Sequence, residues 1–247
     1  MQFDSVLQSV RAALPSVCYG FLALVLLSGI VRLMLIARST LVLKKQVRSL
    51  RSVDYRRFQD SEHIMPVSLI LPAVSETESL REQVENLLSL EFKQYELIVV
   101  ANSAHAEDWS SLMNAYQLLP FRQPYKKTLK SIRIETVYRS AKDVRLVVLD
   151  SRDEGVAGAL NAGANFSSYP IIAPVYPDLR LSKDALLKTV YAFVSDSACV
   201  YIGSFARVGE DLTNPDSKKN SFLTEQQYLE RLRALYINRA GYADLGV

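Results

Sequence analysis

Apolar and polar positions change period several times along the chain, and each change marks an element. From Ala12 to Val31 no residue is charged, and Leu and Val dominate. That is about the 20 residues a helix needs to cross hydrocarbon. Three readings fit such a run: a retained membrane anchor, a cleaved signal peptide and a buried globular helix. The exit, Arg32-Leu33-Met34-Leu35-Ile36-Ala37-Arg38, has no small-x-small cleavage pattern and favours the anchor.

Beyond Pro66 the runs shorten. Val67–Leu71 reads as a strand bounded by Pro72, and Ser75-Glu76-Thr77-Glu78 as a capping box. The helix it starts carries Leu80, Val84, Leu87 and Leu88 on one side. Tyr95–Val100 is apolar on both faces, as a central parallel strand must be. Asp108–Leu119 has helical spacing, and the Lys- and Arg-bearing stretch from Pro120 to Arg139 fits a peripheral helix or a hairpin. Leu146–Leu149 is a buried strand. A Gly-containing loop, a small-residue helix over Val156–Ala164 and a second strand, Ile171–Val175, follow it and run into Tyr176-Pro177-Asp178. Ser182 caps a helix whose inner stripe is Leu186, Leu187, Val190 and Phe193. Ala198–Phe205 reads as a further strand, and Gly209–Ser221 as a polar, mobile loop turning at Asn214-Pro215-Asp216. Thr224 and Gln227 form a second capping box, starting an amphipathic helix with Tyr228, Leu232, Leu235 and Tyr236 near one face.

The unit from Leu146 to Leu181 is a strand, a helix and a strand with short links. Such crossovers collect their functional groups at the carboxyl ends of the strands, which places a binding site near Asp150, Gly155 and Asp178. The expected architecture is α/β: a mostly parallel sheet flanked by helices and preceded by one transmembrane helix. The expected division is an N-terminal segment with the span (1–37), a basic juxtamembrane linker (38–65), the α/β domain (66–221) and a C-terminal helix (222–247).

Composition changes this picture little. A chain of 247 residues has room for one α/β domain and an accessory segment. A net charge of +3 and the lack of a basic-aromatic strip argue against a nucleic-acid partner. Cys18 and Cys199 lie far apart in apolar contexts and read as buried thiols, and His63 and His105 are isolated from them, so no zinc spacing exists. His105 reads as an exposed loop residue and Trp109 as a helix anchor. Arg139, Lys142 and Arg145 form a cluster that either attracts phosphate or is simply solvated. Charge matters most around the apolar run. Arg32, Arg38, Lys44, Lys45, Arg48, Arg51, Arg56 and Arg57 follow it, opposed mainly by Asp54, while only Asp4 and Arg11 precede it. The positive-inside rule then puts the N-terminus outside and the rest in the cytoplasm of a single-pass protein of the inner cell membrane. The same basic run suits anionic headgroups.

The succession of an apolar span, PVSLILPAVSETESL, YELIVVANS and LDSRDEGVAGALNAGANFSSYPIIAPVYPD resembles the membrane-associated family 2 glycosyltransferases, which include the processive polysaccharide synthases. The most specific part is Ala157-Gly158-Ala159-Leu160-Asn161-Ala162-Gly163, which is similar to the family's Gly-Lys-Ala-x-Ala-Leu-Asn-x-Gly turn and helix. The resemblance implies a Rossmann-like fold of the glycosyltransferase A type. It also implies sugar transfer from a nucleotide diphosphate sugar with Mg²⁺ or Mn²⁺. On that resemblance the donor cleft comprises Asn102, Asp150, Gly155, Asn161 and Asp178, with Asp178 as metal ligand. From the residues alone, Asp178 equally suits a turn former after Pro177, Asp150 a bare turn role, and Asn161 helix-strand packing and a cap.

Several matching positions carry other residues. Val74 and Ser75 stand where the family has an aromatic residue and Asn, and only Glu76 matches there. Asn102 is nearest to the Asp that binds uracil, Val156 replaces the cation after the Gly, and Tyr176-Pro177-Asp178 replaces Asp-x-Asp. Around Glu210 and Asp211 there is no Thr/Ser-Glu-Asp motif, and neither a Gln-x-x-Arg-Trp motif nor further transmembrane helices follow. Two functions fit. One is a degenerate glycosyltransferase acting as scaffold or regulatory subunit beside an active glycosyltransferase or a polysaccharide synthase or export protein. The other is an active nucleotide-sugar-dependent transferase with an atypical metal site. A truncated product, missing a pore-forming half, is a third reading.

Overall fold

Seven consecutive residues with no charge, Val67–Ala73, form strand β1, and every one is buried. Burial on both faces demands cover on both sides. Tyr95–Ala101 (β2) lies parallel to β1, in register from Val67 opposite Tyr95 to Ala73 opposite Ala101. Leu146–Asp150 (β5) lies parallel to β2 on its other side, and Ile171–Pro174 (β6) parallel to β1. Leu118–Pro120 (β3) and Thr136–Ser140 (β4) extend the sheet antiparallel beyond β5, giving the order β3-β4-β5-β2-β1-β6. This computed structural model describes residues 2–51, 53, 55–60, 64–73, 80–122, 125, 127–153, 155–177, 179–203 and 222–234.

The two-residue period of the strands splits the core into two layers. Leu69, Leu71, Leu97, Val99 and Val148 face one side. Helices Leu80–Leu88 (α3), Ala106–Tyr116 (α4) and Ala185–Ser195 (α6) cover it with Leu80, Val84, Leu87, Leu112, Leu186, Leu187 and Val190. Ile98, Val100, Val147 and Leu149 face the other side, beneath Ala159 and Phe166 of helix Val156–Phe166 (α5). Gly163 of α5 sits on Ile70, whose side chain occupies the space that any Cβ would need. The chain divides into two compact units, Asp54–Ala206 and a second made of Met1–Val53 with Arg207–Val247.

In the second unit, Gln2–Arg51 is one helix, α1, with Pro15 inside it. Its stretch Pro15–Leu41 is long and apolar enough to cross a membrane, and none of its most apolar window is buried. The helix does not stop where the apolar run ends at Val31. It continues through the basic stretch to Arg51, a length without Gly or a second Pro. Cys18 is exposed on this helix and Cys199 is half-buried, so neither is a buried thiol. Phe222–Arg233 (α7) belongs to the same unit and starts before Thr224, which is therefore an interior position and not the cap. Leu235 and Tyr236 lie outside the described residues, as do Ser75–Glu78, His63 and Gly209–Ser221.

Other boundaries moved for local reasons. Strand β1 runs through Pro72, because β6 pairs only as far as Ile70 and no neighbour there asks Pro72 for an N–H. The α4 helix ends at Tyr116, three residues early, where Gln117 adopts a left-handed conformation (φ 49°) and turns the chain into β3. The stretch from Pro120 to Arg139 resolves as the long link of an antiparallel pair. Asp184, and not Ser182, occupies the cap position of α6. Ala198–Gly203 is not a strand: Val200 and Tyr201 are 90% and 83% exposed, and Asp196 holds the turn by accepting from the Ala198 and Cys199 backbones. The short helix Tyr55–Gln59 (α2) is fixed by Tyr55 and Phe58 packing edge-on against Tyr191 of α6.

Candidate functional site

Parallel register brings the carboxyl ends of β1, β2 and β5 to one edge, with Ala73 opposite Ala101 and Ala101 opposite Asp150. Asn102 and Asp150 meet there, 5% and 6% exposed. Asp150 Oδ1 accepts the Ser103 N–H at 3.1 Å, tying the end of β5 to the end of β2. Asn102 Oδ1 accepts the Ala104 N–H at 2.9 Å, an Asx turn that launches α4. With its oxygen so engaged, Asn102 has its amide N–H₂ left as a donor to offer a ligand. The recess in front of it is lined by Ala73, Leu80, Ala101, His105, Asp108 and Trp109. His105 is half-buried at the start of α4 and is not an exposed loop residue; its carbonyl accepts the Trp109 N–H at 3.0 Å. Trp109 is anchored edge-on against Tyr138, ring centres 5.3 Å apart.

Gly155 and Asn161 do not join this pair. Gly155 is the exposed N-cap of α5. Asn161 donates to the Lys130 carbonyl at 2.7 Å, and one turn further on Asn165 closes a second clamp with more bonds. Asn165 Oδ1 accepts the Thr128 and Leu129 N–H groups at 3.1 and 2.9 Å, and its Nδ2 donates to the Leu129 carbonyl at 2.8 Å. The segment 128–135 is thereby strapped across α5. Ile132 fills the groove over Gly158, Arg133 N–H donates to Asp153, and Glu135 N–H donates to the Asp150 carbonyl. The spacing of two Asn one helical turn apart was the visible signal for this strap; Asn165 was not singled out from the sequence.

Two exposed side chains complete the edge. Val156, the first residue of α5, is 41% exposed, and Tyr176, two residues past β6, is 52% exposed. They stand where the family resemblance expects a cation and a carboxylate. Asp178 lies outside the described residues. Its neighbours are held: Leu181 exchanges backbone bonds with the Asn86 amide at 3.0 and 3.2 Å, and Arg180 pairs with Glu82. With β2 and β6 separated by β1, Asn102 and the Tyr176 loop are two strand spacings apart, roughly 10 Å. Among the described residues no three His, Cys, Asp or Glu side chains converge to hold a metal. Asp150, with one oxygen already bonded, does not by itself make a divalent-ion cage.

The cluster of Arg139, Lys142 and Arg145 belongs elsewhere. Arg139 faces Val147 across the strand pair and stacks on Phe121, toward the amino end of β5. Arg145 grips Asp143 through Nε and Nη2 (3.0 and 2.6 Å), donates to Tyr95 Oη at 2.7 Å and to the Leu88 carbonyl at 3.1 Å. This hydrogen-bonded guanidinium holds the Asp143 carboxyl below the usual carboxylate range. Burial pushes the Tyr95 phenol up to about 12, against the opposing pull of Arg145.

A Rossmann-like sheet with an antiparallel edge, a Gly-opened helix after β5 and polar groups gathered at the carboxyl ends defines an α/β domain of the glycosyltransferase A type. The sequence model of the family described as "Glycosyl transferase family 2" matches residues 68–244, and the chain belongs to that family. A solved structure, "Mannosyltransferase PcManGT from Pyrobaculum calidifontis in complex with GDP-Man and Mn2+", is similar at 18% identity and a TM-score of 0.38. The match covers 63% of this chain and 43% of that one. A search of curated protein sequences returned no match.

Proposed function

We propose that this chain is a membrane-anchored family 2 glycosyltransferase-like subunit whose transfer centre is degenerate, and that it scaffolds or regulates a glycan or polysaccharide synthesis or export complex. Its α/β domain faces the cytoplasm, with the N-terminus outside, following the basic residues after the span. One observation carries the reading: Val156 and Tyr176 are exposed at the ligand edge of the sheet. Packing does not demand an apolar or aromatic side chain at either position. A diphosphate leaving group needs its charge neutralised, by a divalent ion on carboxylates or by nearby cations. Val156 and Tyr176 supply neither, and each ~1.4 kcal/mol of lost stabilisation is a factor of ten in rate. The partner is an active glycosyltransferase or a synthase or export subunit in the same membrane.

The test is a transfer and hydrolysis assay on the purified full chain with UDP- and GDP-sugars and Mg²⁺ or Mn²⁺. Turnover indistinguishable from that of Asp178→Ala is expected. Sugar transfer that Asp178→Ala abolishes overturns the proposal and establishes an active enzyme with an atypical metal site.

A further inference from the structure

Helix α1 does not end at the membrane. It continues unbroken from the apolar stretch Pro15–Leu41 through Arg51, so the positions of Lys44, Lys45, Arg48 and Arg51 lie on a helical continuation of the span. At 100° per residue, Lys44, Arg48 and Arg51 fall within an arc of about 60°, with Lys45 beside it. The positions of Leu43, Val47 and Leu50 fall together on a neighbouring face. Lys44 and Arg48 are exposed. No Asp or Glu occurs between Asp4 and Asp54, so nothing within the helix compensates these charges.

Axial distance decides what they meet. From Arg38 to Arg51 the helix advances roughly 20 Å at 1.5 Å per residue. The headgroup layer on each side of the hydrocarbon is roughly 6 Å deep. With the hydrocarbon ending at Leu41, Lys44 and Lys45 lie in that layer, while Arg48 and Arg51 stand roughly 10 and 15 Å past the boundary, still within about a Debye length of the charged surface. A cation on a flexible loop would lose conformational freedom on finding a headgroup; a stripe on a continuous helix has its backbone already ordered.

We propose that Lys44, Lys45, Arg48 and Arg51 form a binding surface for anionic phospholipid headgroups, which gathers such lipids around the anchor. The proposal rests on α1 crossing the membrane. Each near-surface Lys or Arg is worth roughly a five-fold enrichment, weakened by salt.

The experiment reconstitutes the full chain in nanodiscs of phosphatidylcholine mixed with phosphatidylglycerol. It then measures by native mass spectrometry which lipid stays bound after release. Retention of phosphatidylglycerol over phosphatidylcholine is expected, lost ten-fold or more in K44Q/K45Q/R48Q/R51Q and at high salt, and kept in K44R/K45R. Gln preserves helix propensity, so the quadruple variant retains α1. Equal retention of both lipids, or selectivity untouched by the quadruple substitution, overturns the proposal. Alkaline carbonate extraction separates the two premises: a chain released from native membranes refutes the span itself, whereas a chain that stays inserted without lipid preference refutes only the lipid surface.

Discussion

The two ends of the central sheet use polar residues in opposite ways. At the amino end, charged groups are locked to one another: Arg145 serves Asp143, Tyr95 and the end of α3 at once, and Glu96 accepts from Ser68 Oγ and Ser168 N–H at 2.6 Å each. At the carboxyl end, Asn102 forms a turn, Asp150 ties β5 to β2, Arg152 pairs with Glu135, and two exposed positions carry Val156 and Tyr176. The amino end is a mechanical joint, saturated and specific. Among the described residues at the carboxyl end, Val156 and Tyr176 supply no charge for a diphosphate.

The strongest way to break this contrast is to disturb the scaffold under the ligand edge. Gly163→Val forces a branched side chain into the space of Ile70, between α5 and β1. Destabilisation of about 3 kcal/mol is expected, since neither a buried helix nor a central strand can shift freely. Thermal unfolding of the purified protein would show it as a drop of several degrees. An unchanged midpoint would mean that α5 is not seated on β1 as described.

The amino-end joint comes next. Asp143→Asn removes the charge that Arg145 grips, at an expected cost of about 1–2 kcal/mol for a charged hydrogen bond with both partners partly exposed. The pH dependence fixes the cause. The Asp143 carboxyl is depressed in the folded state, so its contribution is complete above about pH 4 and lost as pH falls through the folded value. Tyr95 is raised to about 12, so its contribution is complete below about pH 10 and lost as pH rises toward 12. Denaturant titrations of the native protein should therefore weaken at both extremes. In Asp143→Asn the acid limb should flatten and the alkaline limb persist. A parallel acid limb in the variant would place the titrating group elsewhere.

How much of this contrast the sequence shows differs between the two ends. Runs such as YELIVV identify central strands because an apolar stretch buried on both faces has few alternatives, and all six of those residues lie in β2. Clusters that depend on register are invisible until the strands are paired. Arg139, Lys142 and Arg145 look alike in the chain, yet β4 runs antiparallel and carries Arg139 away from the ligand edge. Boundaries failed where one residue broke its usual habit: Gln117 takes a left-handed turn normally given to Gly or Asn, and Pro72 sits inside a strand because its neighbour is short. At the carboxyl edge, Asn102 and Asp150 stand out in the sequence by their positions at strand ends, and the parallel register brings them together. The strap over α5 was missed, because residues 128–135 have no period of their own and are ordered by the side chains of Asn161 and Asn165.

The smallest effect on stability carries the sharpest statement about function. Val156 and Tyr176 are exposed, so Val156→Arg and Tyr176→Asp should each leave stability within about 0.5 kcal/mol of the parent. Together they put a cation at the start of α5 and a second carboxylate beside Asp178. If the carboxyl edge has kept its shape and lost only its charges, the double variant should gain metal-dependent binding of a nucleotide diphosphate. That gain would be measurable as a rise in melting temperature with UDP or GDP and Mn²⁺ that the parent lacks. A variant that folds as well as the parent and still shows no nucleotide-dependent shift would mean that the edge has lost its shape too. Then the contrast between the two ends of the sheet is one of architecture and not of charge alone.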